Sequence, residues 1–273
     1  MEKIKSISTL LILFFILFLA SSNYTTASEK HEYAGEFSYE YDSERGPERW
    51  GEIREEWSMC KNGRLQSPID LSNERVEMVS HLGIVKRKYK PSKATLINKG
   101  HDMQLSWKGD AGSIEINETE YELDQCHWHS PSEHTINGRR FDLEAHLVHK
   151  SKSGKIAVIS IIYKLGHADY FLSQLKEDLI DLKDKLEMEK MVGIVDPRMI
   201  EIGNHKYYRY HGSLTTPPCN ETVIWTVVNK VMTISRAQLK MLRNTIHDES
   251  GSNARPLQSI NERTVQYYNP ENY

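Results

Sequence analysis

The stretch "DQCHWHSPSEH", Asp124 to His134, sets three histidines, two acids and a cysteine within eleven residues. Imidazole, carboxylate and thiolate are the ligands that zinc takes, so the question is whether the spacing lets them meet. Read as a strand, "YELDQCHWH" alternates its side chains between two faces. Gln125, His127 and His129 then share one face, and Cys126 and Trp128 the other. Residues two apart sit about 6–7 Å apart along a strand, close enough for two imidazoles to converge on one ion at about 2.0–2.1 Å each. Pro131 should end the strand, because it has no N–H for the ladder. His134 therefore falls beyond a bend and is a poor third ligand. The segment "DLEAHLVHK" offers a better one, with Glu144, His146 and Val148 on one face and Ala145, Leu147 and His149 on the other. If it lies beside the first strand, His127, His129 and His146 make a three-nitrogen set with one position open. That describes a catalytic zinc site, not a closed structural one. Cys126 is the rival ligand by chemistry, but parity turns it away from His127, and it reads as a small buried apolar residue. His149 fails by the same parity. The plainer alternative is a polar strand whose histidines are ordinary core or surface residues. Gln125 and Glu144 each stand two residues from a proposed ligand on its own face, placed to accept that ligand's second ring N–H.

The elements that must carry these residues are strands. "ATLINKG", "HDMQLSW", "SIEINETEYEL", "RRFDLEAHLVHK", "IAVISIIYKLG" and "TVIWTVVNKVMTI" are β-branched or aromatic runs separated by Gly, Asn, Ser and Pro,. One segment, "YFLSQLKEDLIDLKDKLEMEK", repeats Leu172, Leu175, Leu179, Leu182 and Leu186 at three and four residues, which predicts an amphipathic helix lying on its own sheet,. A second helix is expected from Ser235, an N-cap residue before "RAQLKMLRNTI",. The expected fold is one domain, mainly β, on a large, mostly antiparallel twisted sheet with a few peripheral helices. Its bounds read as 41–263, after a poorly ordered segment at 28–40 and before a polar tail at 264–273.

The 273 residues carry a formal charge of −3, which gives no reason to expect a nucleic-acid partner,. Lys3 and Lys5 precede the apolar run Leu10 to Ala20, which is short of the roughly 20 residues a spanning helix needs. It reads as a secretory signal within 1–27, cleaved after Ala20 to Ala27. No later segment is long and apolar enough to cross a membrane. Secretion gives Cys60, Cys126 and Cys219 an oxidising environment with room for one disulfide, and the sequence allows three pairings,. It also makes the sequons at Asn23, Asn117 and Asn220 candidate glycosylation sites,.

Further motifs, "QSPID" (Gln66 to Asp70), "HWHSPSEHT", "EAHLVH" and "HGSLTTPPC" (His211 to Cys219), occur in order. Together they resemble the α-class carbonic anhydrases, and most of all the plant members, from about Tyr41 to Gln258. The resemblance implies one Zn²⁺ per chain on His127, His129 and His146. Gln125 and Glu144 would orient His127 and His146, and a carbonyl near Asn253 would orient His129. The implied reaction is reversible hydration of carbon dioxide to bicarbonate and a proton by zinc-hydroxide attack. Thr215 would orient the hydroxide and donate to Glu133, and Thr216 would contact substrate. Val148, Val158, Leu214, Val223 and Trp225 would form the apolar wall for carbon dioxide. His101 matches the proton shuttle, a group titrating in the right range. Tyr41 matches a residue of the water network, as do the positions of Lys99 and Gln104, where the family often has asparagine. A lysine beside His101 is expected to disfavour its charged form. Cys60 and Cys219 match the disulfide of extracellular members. The implied destination is the secretory pathway, secreted or cell wall, with the chloroplast stroma reached by that route as the alternative. The second reading is a storage or defence protein on the same fold with little or no anhydrase activity.

Overall fold

The computed structural model describes residues 35–203, 205–247 and 251–272. The expected signal segment and Asn23 lie outside them. The described strands are β1 (Asp70–Leu71), β2 (Val76–Met78), β3 (Lys86–Arg87), β4 (Ser92–Asn98), β5 (Met103–Trp107), β6 (Ser113–Ile116), β7 (Thr119–His129), β8 (Thr135–Ile136), β9 (Leu143–Lys150), β10 (Ile156–Leu165), β11 (Glu189–Val195), β12 (Tyr207–Gly212), β13 (Val223–Val228), β14 (Met232–Ile234) and β15 (Val265–Tyr268). The α-helices are α1 (Trp50–Ile53), α2 (Met59–Asn62), α3 (Tyr170–Gln174), α4 (Lys176–Leu182) and α5 (Arg236–Arg243).

Thirteen strands join one twisted sheet along the path β11-β4-β5-β7-β9-β10-β13-β12-β15-β2, with β14, β3 and β6 off that path,. Pairing is mostly antiparallel, and β10–β13, β10–β14 and β15–β2 are the parallel pairs of this sheet. β7 and β9 are antiparallel neighbours, with His127 opposite His146 and His129 opposite Glu144. The strand alternation sorts two cores. Cys126, Trp128, Ala145, Leu147, Ile159 and Ile161 pack on one side against Leu172, Leu175, Leu179 and Leu182 of the α3–α4 segment and Leu239 and Leu242 of α5. Val148, Val158, Ile162, Tyr210, Val223 and Trp225 form the other, on the side of the histidines.

The amphipathic segment departs from the expected single helix. It breaks at Leu175 and stops at Leu182, and Leu186 is left exposed. The stop has a local cause. Asn98 on β4 donates its Nδ2–H to the carbonyls of Leu182 and Lys183, at 3.1 and 2.9 Å, and so satisfies the chain end in place of a further turn,. At α5, Ser235 and Gln238 close a reciprocal capping box,.

Two sequence boundaries shift. Residues 35–40 of the segment expected to be poorly ordered include Phe37 and Tyr39, buried edge-to-face against Trp50. Val265–Tyr268, assigned to a polar tail, is β15, inside the sheet between β12 and β2. In both places aromatic side chains bury area that the polar composition around them hides.

Candidate metal centre

The register of β7 and β9 brings the three histidines together. His127 and His129 project from one face of β7, and His146 arrives from the neighbouring strand; one ring nitrogen from each lies within 4.8 Å of the others. Each remaining ring N–H is tied down. His127 Nδ1–H donates to Gln125 Oε1 at 2.8 Å, His129 Nδ1–H to the Asn253 carbonyl at 2.6 Å, and His146 Nε2–H to Glu144 Oε1 at 2.7 Å. These acceptors set the tautomers, so His127 Nε2, His129 Nε2 and His146 Nδ1 present lone pairs to one point. His129 Nε2 is buried and has no hydrogen-bond partner among the described residues. Burial lowers the proton affinity of all three rings, and the neighbouring histidines lower that of His127 further. Neutral rings are what metal ligation requires. A second cluster, His134, Glu144 and His146, is also compact. It is already closed by hydrogen bonds, because His134 Nδ1–H donates to Glu144 Oε1 at 2.7 Å. The first cluster therefore fits a zinc-like ion and the second does not.

Comparison with known proteins gives the family of the chain. The family model for eukaryotic-type carbonic anhydrase matches residues 45–269. The chain belongs to the α-carbonic anhydrases. It is 56% identical over 235 residues to alpha carbonic anhydrase 7 of Arabidopsis thaliana, covering 86% of each chain. Among solved structures, dioscorin complexed with ascorbate is similar at TM-score 0.83 and 46% identity, over 85% of this chain and 97% of that one. The α-carbonic anhydrase of Thermovibrio ammonificans with the inhibitor sulfanilamide gives 0.76 and 35%, over 83% and 97%.

Around the histidines, Val148, Val158, Val223 and Trp225 are buried in one apolar cluster with Leu214 packed against it. The Trp225 ring centroid is 4.8 Å from that of His146. Thr215 is buried and Thr216 half-buried, on a loop held by the Cys60–Cys219 disulfide and by Cys219 N–H donating to the Thr216 carbonyl at 2.9 Å. Cys126 is the free cysteine among the described residues and is buried on the opposite side of β7. Glu133 accepts from the Arg255 backbone N–H at 2.9 Å. Burial pushes the Glu133 carboxyl up to about 7, while His146, Thr215 and the Arg255 N–H pull it down,. Among the described residues its Oε2 has no partner of normal hydrogen-bond geometry, and it lies 3.6 Å from His129 Nε2.

His101 is half-buried beside Phe37, ring centroids 5.0 Å apart, and its Nε2 lies 3.7 Å from the Asp102 carboxylate. Lys99, expected to press on His101, donates its Nζ–H to Gln104 Oε1 at 2.5 Å. Gln104 itself stands opposite His127 on β5. The lysine's amine thus pairs with a neutral acceptor, and the Asp102 carboxylate stands beside His101. Tyr41 is 57% exposed and interacts with Glu48, away from the buried cluster. The tyrosine that enters the interior is Tyr39, near Arg255. Phe37, Tyr39 and Trp50 pack together and leave Tyr41 in the turn that follows.

Several positioning residues were not assigned from sequence. His134 joins Glu144 to Tyr210, whose hydroxyl donates to His134 Nε2 at 2.6 Å. Ser160 Oγ–H donates to Glu144 Oε1 at 2.6 Å. Asn253, whose neighbourhood was expected to orient His129, has a further bond that was not: its Nδ2–H donates to the His101 carbonyl at 2.8 Å. Arg255 is buried and donates to Gln66 Oε1, Ser67 O and Cys60 O. The "QSPID" and "SEH" motifs signalled one end of these contacts, but the partners are too distant in sequence for spacing to find.

Proposed function

We propose that this chain is a zinc-dependent enzyme catalysing the reversible hydration of carbon dioxide to bicarbonate and a proton. The observation that carries the reading is the convergence of three neutral, oriented imidazoles within 4.8 Å, one with a buried nitrogen that no described protein group satisfies. His127, His129 and His146 would hold one Zn²⁺. Bound there, zinc supplies a Lewis acid that makes hydroxide available near neutral pH, a property taken from the carbonic anhydrases as a family.

The chain's own residues do the rest. Gln125, Asn253 and Glu144 hold the rings in the donating tautomers. Val148, Val158, Leu214, Val223 and Trp225 give an uncharged gas an apolar wall and exclude water. Thr215, beside Glu133, is placed to orient a hydroxyl nucleophile, and Thr216 to contact substrate or bicarbonate. Lys99 and Gln104 line the route outward, and His101, beside Asp102, relays the proton,. The Cys60–Cys219 disulfide supports an oxidising destination, hence the secretory pathway,. Asn117 and Asn220 are exposed and open to glycosylation there.

The second reading, a storage or defence protein with little or no anhydrase activity, is kept by the likeness to dioscorin, a relative not named as an anhydrase. Zinc analysis with a carbon dioxide hydration assay on secreted material separates the two. One zinc per chain with turnover lost in His129→Ala is the expected result. A metal-free or inert wild-type protein rejects the enzyme reading.

A further inference from the structure

Bicarbonate carries a charge and carbon dioxide does not, so a fixed charge near the metal histidines acts on one partner of the reaction and not on the other. Lys99, the residue after β4, is such a charge. It is half-buried, and its Nζ–H donates to Gln104 Oε1 at 2.5 Å. An ammonium has three donors, and this bond uses one. Gln104 is a neutral amide whose own Nε2–H goes to Ser106 Oγ at 2.8 Å, so its oxygen stays turned to the lysine. Among the described residues no carboxylate forms an ion pair with Lys99; the acid of the same turn, Asp102, stands beside His101 instead.

The position of Lys99 joins two regions. Gln104 is directly opposite His127 across β5–β7, so the two side chains share a face, with Cβ atoms about 4.5–5.5 Å apart,. On its other side Lys99 lines an open groove of about 320 Å³ together with His101, Arg45, His247, Glu40 and Glu187. A water molecule's share of liquid volume is about 30 Å³, so the groove passes a small hydrated anion. Arg45 donates to the Gly35 carbonyl, and His247 Nε2–H donates to the Lys183 carbonyl at 2.6 Å. Glu40 and Glu187 are exposed, and neither pairs with the lysine. Lys99 is thus the cation common to the groove and to the wall beside His127.

We propose, on the enzyme reading above, that Lys99 is the residue that captures bicarbonate, its ammonium holding the anion between the groove and the metal histidines. The two remaining N–H donors and the unpaired charge suit an oxyanion, and a charge-assisted bond to it is stronger than the one to a neutral amide. An uncharged gas gains nothing from the same group. Lys99 therefore sets the affinity for the anionic partner alone, while the apolar wall serves the other. A fixed cation at an entrance also draws anions inward, an effect that salt screens.

The test uses the full secreted protein with its metal, at constant ionic strength. Lys99→Met, which keeps the apolar stem and drops the charge, should raise KM for bicarbonate about fivefold and leave KM for carbon dioxide within about 1.5-fold. Lys99→Arg keeps the charge and should restore KM for bicarbonate to within about twofold of the wild type. Nitrate, an unreactive planar monoanion with three oxygens, gives the same comparison by calorimetry without turnover. Its Kd should rise about fivefold in Lys99→Met and return in Lys99→Arg. Equal nitrate affinity in the wild type and Lys99→Met, or no nitrate binding by the wild type, overturns the role of Lys99 whether or not the protein turns over. So does a rise in KM for carbon dioxide equal to that for bicarbonate, which would mark a lost shape and not a lost charge. An inert wild type whose nitrate binding still depends on Lys99 rejects the enzyme reading and keeps the anion site.

Discussion

Glu144 accepts from His134 Nδ1–H, His146 Nε2–H, Ser160 Oγ–H and the His134 backbone N–H, and so serves the metal centre without being a ligand. Burial works to raise its carboxyl, yet the facing imidazoles and their hydrogen bonds prevail and hold it well below the usual carboxylate range,. The charge is therefore fixed, and with it the tautomer of His146. Glu144→Gln keeps the shape but brings an NH₂ group against donors that need acceptors. Zinc affinity, measured by chelator competition, is expected to fall about 10–100-fold. The pairing of Glu144 with His146 was legible from strand parity alone. The role of His134 was not, because the Tyr210 hydroxyl that fixes its ring lies 76 residues away in the chain.

At the scale of elements, periodicity found the strands and which face each presented, since a period of two leaves no other way to bury alternate residues. It did not find the helix stop at Leu182, because the cause is Asn98, 84 residues earlier and on a strand. Asn98→Ala removes both bonds to the end of α4 and the bond that Gly100 N–H donates to Asn98 Oδ1 at 2.9 Å, in the turn before His101. The expected loss is about 1–3 kcal/mol by urea unfolding. The loop carrying Thr215 and Thr216 depends on a longer link. Cys60 and Cys219 are 159 residues apart, and opening their bridge in a double Cys→Ser variant is expected to cost about 2–5 kcal/mol in the same assay,. Sequence left the pairing open, and the family likeness chose it. Packing shows why Cys126 is excluded: it is 1% exposed in the main core, on the far side of β7 from the histidines.

At the scale of the molecule, and among the described residues, the sheet divides the buried histidines into those at or beside the metal centre and one, His149, that belongs to the opposite core. His149 is fully buried; its Nδ1–H donates to the Ala157 carbonyl at 3.2 Å, and the Tyr89 hydroxyl donates to its Nε2 at 2.7 Å. Burial pushes its pKa down from 6.5 to about 4. Above pH 6.5 neither folded nor unfolded chain protonates this ring, and it leaves stability unchanged. As pH falls from there toward 4, the unfolded chain takes up a proton that the folded one refuses, so stability declines. The decline saturates below pH 4, after about 3 kcal/mol. Burial lowers the proton affinity of other histidines too, those of the metal centre among them, so the contribution is read as a difference between proteins. His149→Gln can keep both hydrogen bonds and cannot titrate. Between pH 7 and 5 the wild type should lose about 2 kcal/mol more than this variant in denaturant unfolding. Parallel pH profiles for the two proteins would show that His149 is not held neutral by the core.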